Sequence, residues 1–140
     1  MNLRITCQCG ENAVELHGAP VARANCHCTT CRDFYGAAML SATAWDRASV
    51  VPAATNTTHF QHPAKQLSKT FCRQCGDVLF GTNRLGLYVV PNAVVARAAG
   101  GVLDAALVPT MHLFYRERVI DVSDALPKYL DGWDGPVHVA

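Results

Sequence analysis

Seven cysteines in three short clusters constrain this chain more than any other feature. Cys7 and Cys9 form C-x-C followed by Gly10, Cys26, Cys28 and Cys31 form C-x-C-x-x-C, and Cys72 and Cys75 form C-x-x-C followed by Gly76. One or two intervening residues let the backbone curl so that neighbouring sulfurs face one ion, and zinc takes about four such ligands in a tetrahedron. A glycine after a pair allows a tight turn and lets backbone amides approach the sulfurs. Two pairs far apart in sequence can close a site between them, so Cys7, Cys9, Cys72 and Cys75 are expected to hold a structural zinc. Cys26, Cys28 and Cys31 are then three ligands without a fourth. That is the arrangement of a catalytic zinc, whose last position is left to water or substrate. The expectation is two Zn2+ per chain.

Other readings of the same residues stand beside this one. The C-x-x-C could be a redox pair, and the clusters could oxidise to disulfides. His27, His59 or His62 could close the second site and make it structural. His27 lies between two ligands, so its side chain is expected to point away from an ion held by both neighbours. For any single histidine here, a surface or satisfied-core position is the default.

Composition narrows the setting. A chain of 140 residues is expected to form one domain spanning 1–140. Half the residues are hydrophobic and 16% are charged, a balance that argues against long disordered tails. The formal net charge of +1 gives no electrostatic case for a nucleic-acid or anionic-membrane partner, and cysteine thiolates with bound zinc would leave it slightly negative. No apolar run approaches the ~18 residues of a membrane span. Residues 1–6 (MNLRIT) do not read as a secretory leader. Many cysteines without a leader point to metal chemistry in a reducing compartment, and the expected location is cytoplasmic. The sequence carries no signal for oligomeric state.

Short periodic segments dominate the rest. Leu3 and Ile5 alternate with Arg4 and Thr6, and Val14 and Leu16 with Glu15 and His17, the period of half-buried strands. Further strands are expected at 21–25, 37–43, 50–51, 57–61, 67–71, 78–80, 85–90 and 111–115. One helical turn is expected over 29–35, stopped by Gly36. Residues 92–107 are Ala-rich and compatible with helix, but Gly100-Gly101 breaks them. Residues 121–140 read as an irregular tail. The sum is a mainly β fold of many short strands, cross-linked by metal where the core alone is too small.

The order of motifs resembles the glutathione-dependent formaldehyde-activating enzyme family, which also includes centromere protein V. The residues that carry the resemblance are Cys7-Gln8-Cys9-Gly10, Cys26-His27-Cys28-Thr29-Thr30-Cys31, Phe71-Cys72-Arg73-Gln74-Cys75-Gly76, His112 and the closing Leu126-Pro127-Lys128-Tyr129. The resemblance covers about residues 3–130 and includes every cysteine. The resemblance implies a β-tent of small antiparallel sheets, a structural zinc on the first and last pairs and a catalytic zinc on the central triple. It also implies carbon–sulfur lyase activity on adducts of a small thiol, glutathione in the founding case, with an aldehyde such as formaldehyde.

Three thiolates around one zinc leave a local charge of about −1 and favour a soft fourth ligand, such as an incoming thiol. His27, Asp33 and His112 are candidates for proton transfer by proximity to a motif. Arg32 and Arg73 flank ligands and could offset thiolate charge or meet a substrate carboxylate. The expected partner is a small-molecule thiol or thiol adduct. The alternative is a non-enzymatic zinc-stabilised interaction module, for which a basic stripe or large apolar patch would be the sequence sign.

Overall fold

In a computed structural model the backbone contacts divide the chain into two units, Met1–Ala22 with Thr43–Leu107 and Arg23–Ala42 with Val108–Ala140. Residues 1–53 and 55–139 are described. Ala54, and Ala140 at the end of the expected irregular tail, lie outside the described residues.

The first unit is built on strand alternation. β1 (Asn2–Thr6) and β2 (Ala13–His17) pair antiparallel, with Leu3 opposite Leu16 and Ile5 opposite Val14. Ile5, Val14 and Leu16 are fully buried while Arg4 and Glu15 meet across the other face, as the period-two pattern requires. A third strand, β5 (Val50–Pro52), pairs antiparallel with β2. The strands β6 (Thr57–Gln61), β7 (Ser68–Cys72), β8 (Val78–Thr82) and β9 (Tyr88–Pro91) follow as an antiparallel meander. Cys7 and Cys72 belong to the same buried cluster as Leu79, Val90, Val94 and Leu107, so the core grows around the cysteine knuckles.

The expected strand at 85–90 is shorter at its start. Asn83 Oδ1 accepts the Leu85 and Leu87 N–H groups and folds 83–87 into a turn, so β9 begins at Tyr88. The ambiguous stretch 92–107 resolves into a helix over Asn92–Ala98, which ends before two glycines at φ 77° and 99°. This helix packs on β1 and β9.

The second unit holds β3 (Ala22–Cys26), α1 (Thr29–Tyr35) and β10 (Met111–Leu113). We name the Asn92–Ala98 helix α2 accordingly. β4 (Leu40–Trp45) gives its first half to this unit and its second half to the other. β10 pairs with β3 in parallel, Leu113 opposite Cys26, a departure from the expected antiparallel sheets. The strand stops at Leu113 rather than Tyr115, because Phe114 turns to φ 54° and Tyr115–Glu117 form a short 3-10 turn. The buried centre of this unit is aromatic and polar: His27, His112 and Tyr115. The fold is mainly β, in small sheets, and among the described residues no helix is long and apolar enough to cross a membrane.

Candidate metal centres

The cysteines fall into two groups, one in each unit. The sulfurs of Cys7, Cys9, Cys72 and Cys75 all lie within 4.8 Å of one another, as do those of Cys26, Cys28 and Cys31. Cys7–Cys9 and Cys9–Cys72 are each 3.6 Å apart and Cys26–Cys28 3.5 Å. Disulfides would need about 2.05 Å. A tetrahedron of thiolates at zinc distances has edges of about 3.8 Å, so the spacing fits sulfurs sharing a metal.

In the first unit two similar knuckles converge. Cys7 N–H donates to the Asn12 carbonyl and Cys72 N–H to the Asp77 carbonyl, each closing a loop behind its pair. Gly10 and Gly76, at φ 77° and 78°, donate their N–H groups to the carbonyls of Cys7 and Cys72. The glycines therefore serve the turns. The amides that reach sulfur come from Gln74 and Cys75, at 3.3 and 3.4 Å from Cys72 Sγ, and from Asn12, 3.3 Å from Cys7 Sγ. Burial pushes the Cys72 thiol up, but the Cys75 and Gln74 N–H donors together with the Cys9 and Cys75 thiols bring it down to about 6. Arg97 on α2 donates to the Thr6 carbonyl and to Asp77, which also accepts the Gln8 N–H. Asn12, fully buried, exchanges two hydrogen bonds with the Asn56 backbone. Sequence reading gave no sign of either brace.

In the second unit β3 delivers Cys26 and α1 delivers Cys28 and Cys31. Cys28 is the N-cap of α1, its sulfur accepting the Cys31 N–H at 3.2 Å. α1 ends at Gly36 in the left-handed region, as its sequence position suggests. Hydrogen bonding to Cys28 and burial push Cys26 up to about 12, and hydrogen bonds with Cys26 and Cys28 push Cys31 higher still. Thiols held this way lose their protons together only beside a compensating positive charge, which a divalent metal would supply to Cys26 and Cys31. Among the described residues no fourth Cys, His, Asp or Glu joins this group at the same range.

The other candidates distribute unevenly. His27 is fully buried, its Nε2 2.8 Å from His112 Nδ1, so its side chain is engaged elsewhere than on the cluster. His112 Nε2 in turn lies 2.8 Å from Asp124 Oδ2. His59 and His62 sit in the first unit, His59 near the Thr70 hydroxyl and His62 accepting the Ala64 and Lys65 N–H groups. Asp33 is exposed. Arg32 does not face outward; it donates to the carbonyls of His27 and Glu117 and to the Thr29 hydroxyl, lacing the C-x-C arm to α1. Arg73 reaches Thr58 and the Thr57 carbonyl. Tyr35, one helical turn after Cys31, has a buried hydroxyl without a hydrogen-bond partner among the described residues, and burial, then the nearby Cys31, raises its affinity for its proton.

Comparison with known proteins gives three findings. The family described as glutathione-dependent formaldehyde-activating enzyme matches residues 2–117. No curated protein matches the chain. Among solved structures, the crystal structure of a Rhodobacter sphaeroides protein is similar at a TM-score of 0.54 and 23% identity, covering 76% of this chain and 98% of that one. The last of these speaks to the fold alone.

Proposed function

The chain belongs to the glutathione-dependent formaldehyde-activating enzyme family, and on that premise we propose that it is a zinc-dependent carbon–sulfur lyase. Its substrate is the adduct of a small, glutathione-like thiol with an aldehyde such as formaldehyde. Zinc on Cys26, Cys28 and Cys31 serves the reaction, and a second zinc on Cys7, Cys9, Cys72 and Cys75 serves the fold, within one domain of the reducing cytoplasm. One observation carries this reading: three converging, half-buried sulfurs with no fourth protein ligand among the described residues. Neither a basic stripe nor a nucleic-acid motif competes with it.

The reaction forms or breaks one C–S bond. In the forming direction the thiol sulfur joins the aldehyde carbon and the thiol proton ends on the aldehyde oxygen, with no change of oxidation state overall. A zinc ion there supplies a Lewis-acidic position with a preference for soft sulfur ligands. The protein's part is to keep three sulfurs convergent. The N-cap geometry fixes Cys28 relative to Cys31, and the guanidinium of Arg32 ties the His27 carbonyl to the same helix.

Zinc-loaded protein mixed with glutathione and formaldehyde should speed the interconversion of free thiol and S-hydroxymethyl adduct at least ~10-fold over buffer. NMR exchange measurements follow it directly, against the uncatalysed background. No acceleration with several thiols, while both clusters hold zinc, would overturn the enzyme and leave a zinc-stabilised interaction module.

A further inference from the structure

A chain of hydrogen bonds runs through the second unit and ends between two of the three clustered cysteines. Lys128 Nζ lies 2.7 Å from Asp124 Oδ1, and the other carboxylate oxygen lies 2.8 Å from His112 Nε2. His112 Nδ1 lies 2.8 Å from His27 Nε2. Both rings are fully buried, and Tyr115 packs edge-on against each. Lys128 also donates to the carbonyls of Asp124 and Leu126, so the 124–128 turn closes on its own cation. His112 is bound twice more through its backbone: its N–H donates to Pro127 and its carbonyl accepts from Tyr129.

With both rings neutral, donor and acceptor counting fixes the protons. Hydrogen bonds from Lys128 and then from His112 hold Asp124 down at about 2, so above mildly acidic pH its carboxylate only accepts. His112 must then carry its proton on Nε2, and as a neutral ring it presents a bare Nδ1. His27 can meet that nitrogen only as a donor, from Nε2. Its own Nδ1 is then bare, and this buried atom has no hydrogen-bond partner among the described residues.

We infer that Lys128, Asp124 and His112 are positioning residues, which set the tautomer and orientation of His27 and through it hold Cys26 and Cys28 at metal-binding separation. His27 can act this way because it is rigidly placed at both ends. Its N–H donates to the Leu113 carbonyl, its own carbonyl accepts from Arg32, and its ring is pinned by His112. The residue between two ligands thus cannot rotate without breaking several bonds. This gives the closing Leu126-Pro127-Lys128-Tyr129 segment a task in the site, although it lies a hundred residues along the chain from Cys26. The inference rests on the reading of the cysteine triple as a metal site.

The test separates the two claims. Long-range 1H–15N NMR of the zinc-loaded protein should show His27 and His112 both protonated on Nε2; a proton on His27 Nδ1 would overturn the chain. Asp124→Asn keeps the shape but offers an amide donor, so His112 should move toward its Nδ1–H form, as an Asp→Asn exchange does in a serine-protease triad. Competition with a chromophoric zinc chelator should then show the triple's affinity down roughly 10-fold or more and the four-cysteine site unchanged. Unchanged tautomers, or changed tautomers with undiminished affinity, would overturn the proposal. Should that variant fold poorly, His112→Asn puts an amide oxygen near the Nδ1 position and should retain more zinc affinity than His112→Ala; equal affinities would count against the chain. A wild-type triple that takes no zinc would remove the metal reading, and the wild-type tautomers would still decide the chain.

Discussion

Cys75→Ser should unfold the first unit at temperatures where the wild type is stable. The strands there are three to five residues long, and Cys7 and Cys72 are members of the main buried cluster rather than ornaments on it. Strands this short bury little each, so a metal cross-link on the four sulfurs would contribute a large share of the net stability. Losing one of four ligand sulfurs weakens that link, although the residue 75 backbone N–H that reaches Cys72 Sγ is kept. The expected cost is on the order of 5 kcal/mol, a fall in Tm of roughly 15 °C or more for a chain of this size. Calorimetry in the presence of zinc measures it. A Tm within a few degrees of wild type would show that the four sulfurs do not hold the fold.

Cys28→Ser should do the reverse, removing activity while leaving the fold. Cys28 caps α1 by accepting the Cys31 N–H, and serine is a preferred residue for that position. The helix therefore keeps its cap while the cluster loses a sulfur and with it most of its hold on zinc. Adduct exchange is expected to fall to the buffer background, a loss of at least ~10-fold, because metal activation of the reaction goes with the ion. The melting curve should stay close to that of the wild type, because the second unit's centre is His27, His112 and Tyr115 rather than the cysteines. Equal destabilisation by Cys28→Ser and Cys75→Ser would contradict the division of roles between the clusters.

The parts of this structure that were legible in sequence are those whose signal is local. C-x-C and C-x-x-C spacings are short enough to fix sulfur geometry on their own, and the alternation in Leu3–Thr6 and Val14–His17 states which face is buried. Gly36 as the stop of α1 is equally local. What escaped depends on partners far apart. The parallel pairing of β3 with β10 has no signature in either strand, since three residues of Met-His-Leu read the same in any orientation. Asp124 reads as part of an irregular tail, and only folding sets it beside His112. His27, lying between two candidate ligands, is expected to point away from their sulfurs, but what it faces instead is not legible, because His112 lies 85 residues further on. Arg32 illustrates the same limit: as a basic residue after a candidate ligand it suggests a partner for thiolate charge or a substrate carboxylate, and in place it clamps backbone carbonyls.

The central claim is that the two cysteine groups are separate metal sites, one closed and one open. Native mass spectrometry of protein prepared under reducing conditions with zinc tests it most directly. Wild type should carry two zinc ions and Cys28→Ser one, and added glutathione should bind the wild type at the three-cysteine site but not the variant. A wild-type protein that holds a single zinc or none while fully folded would contradict the account.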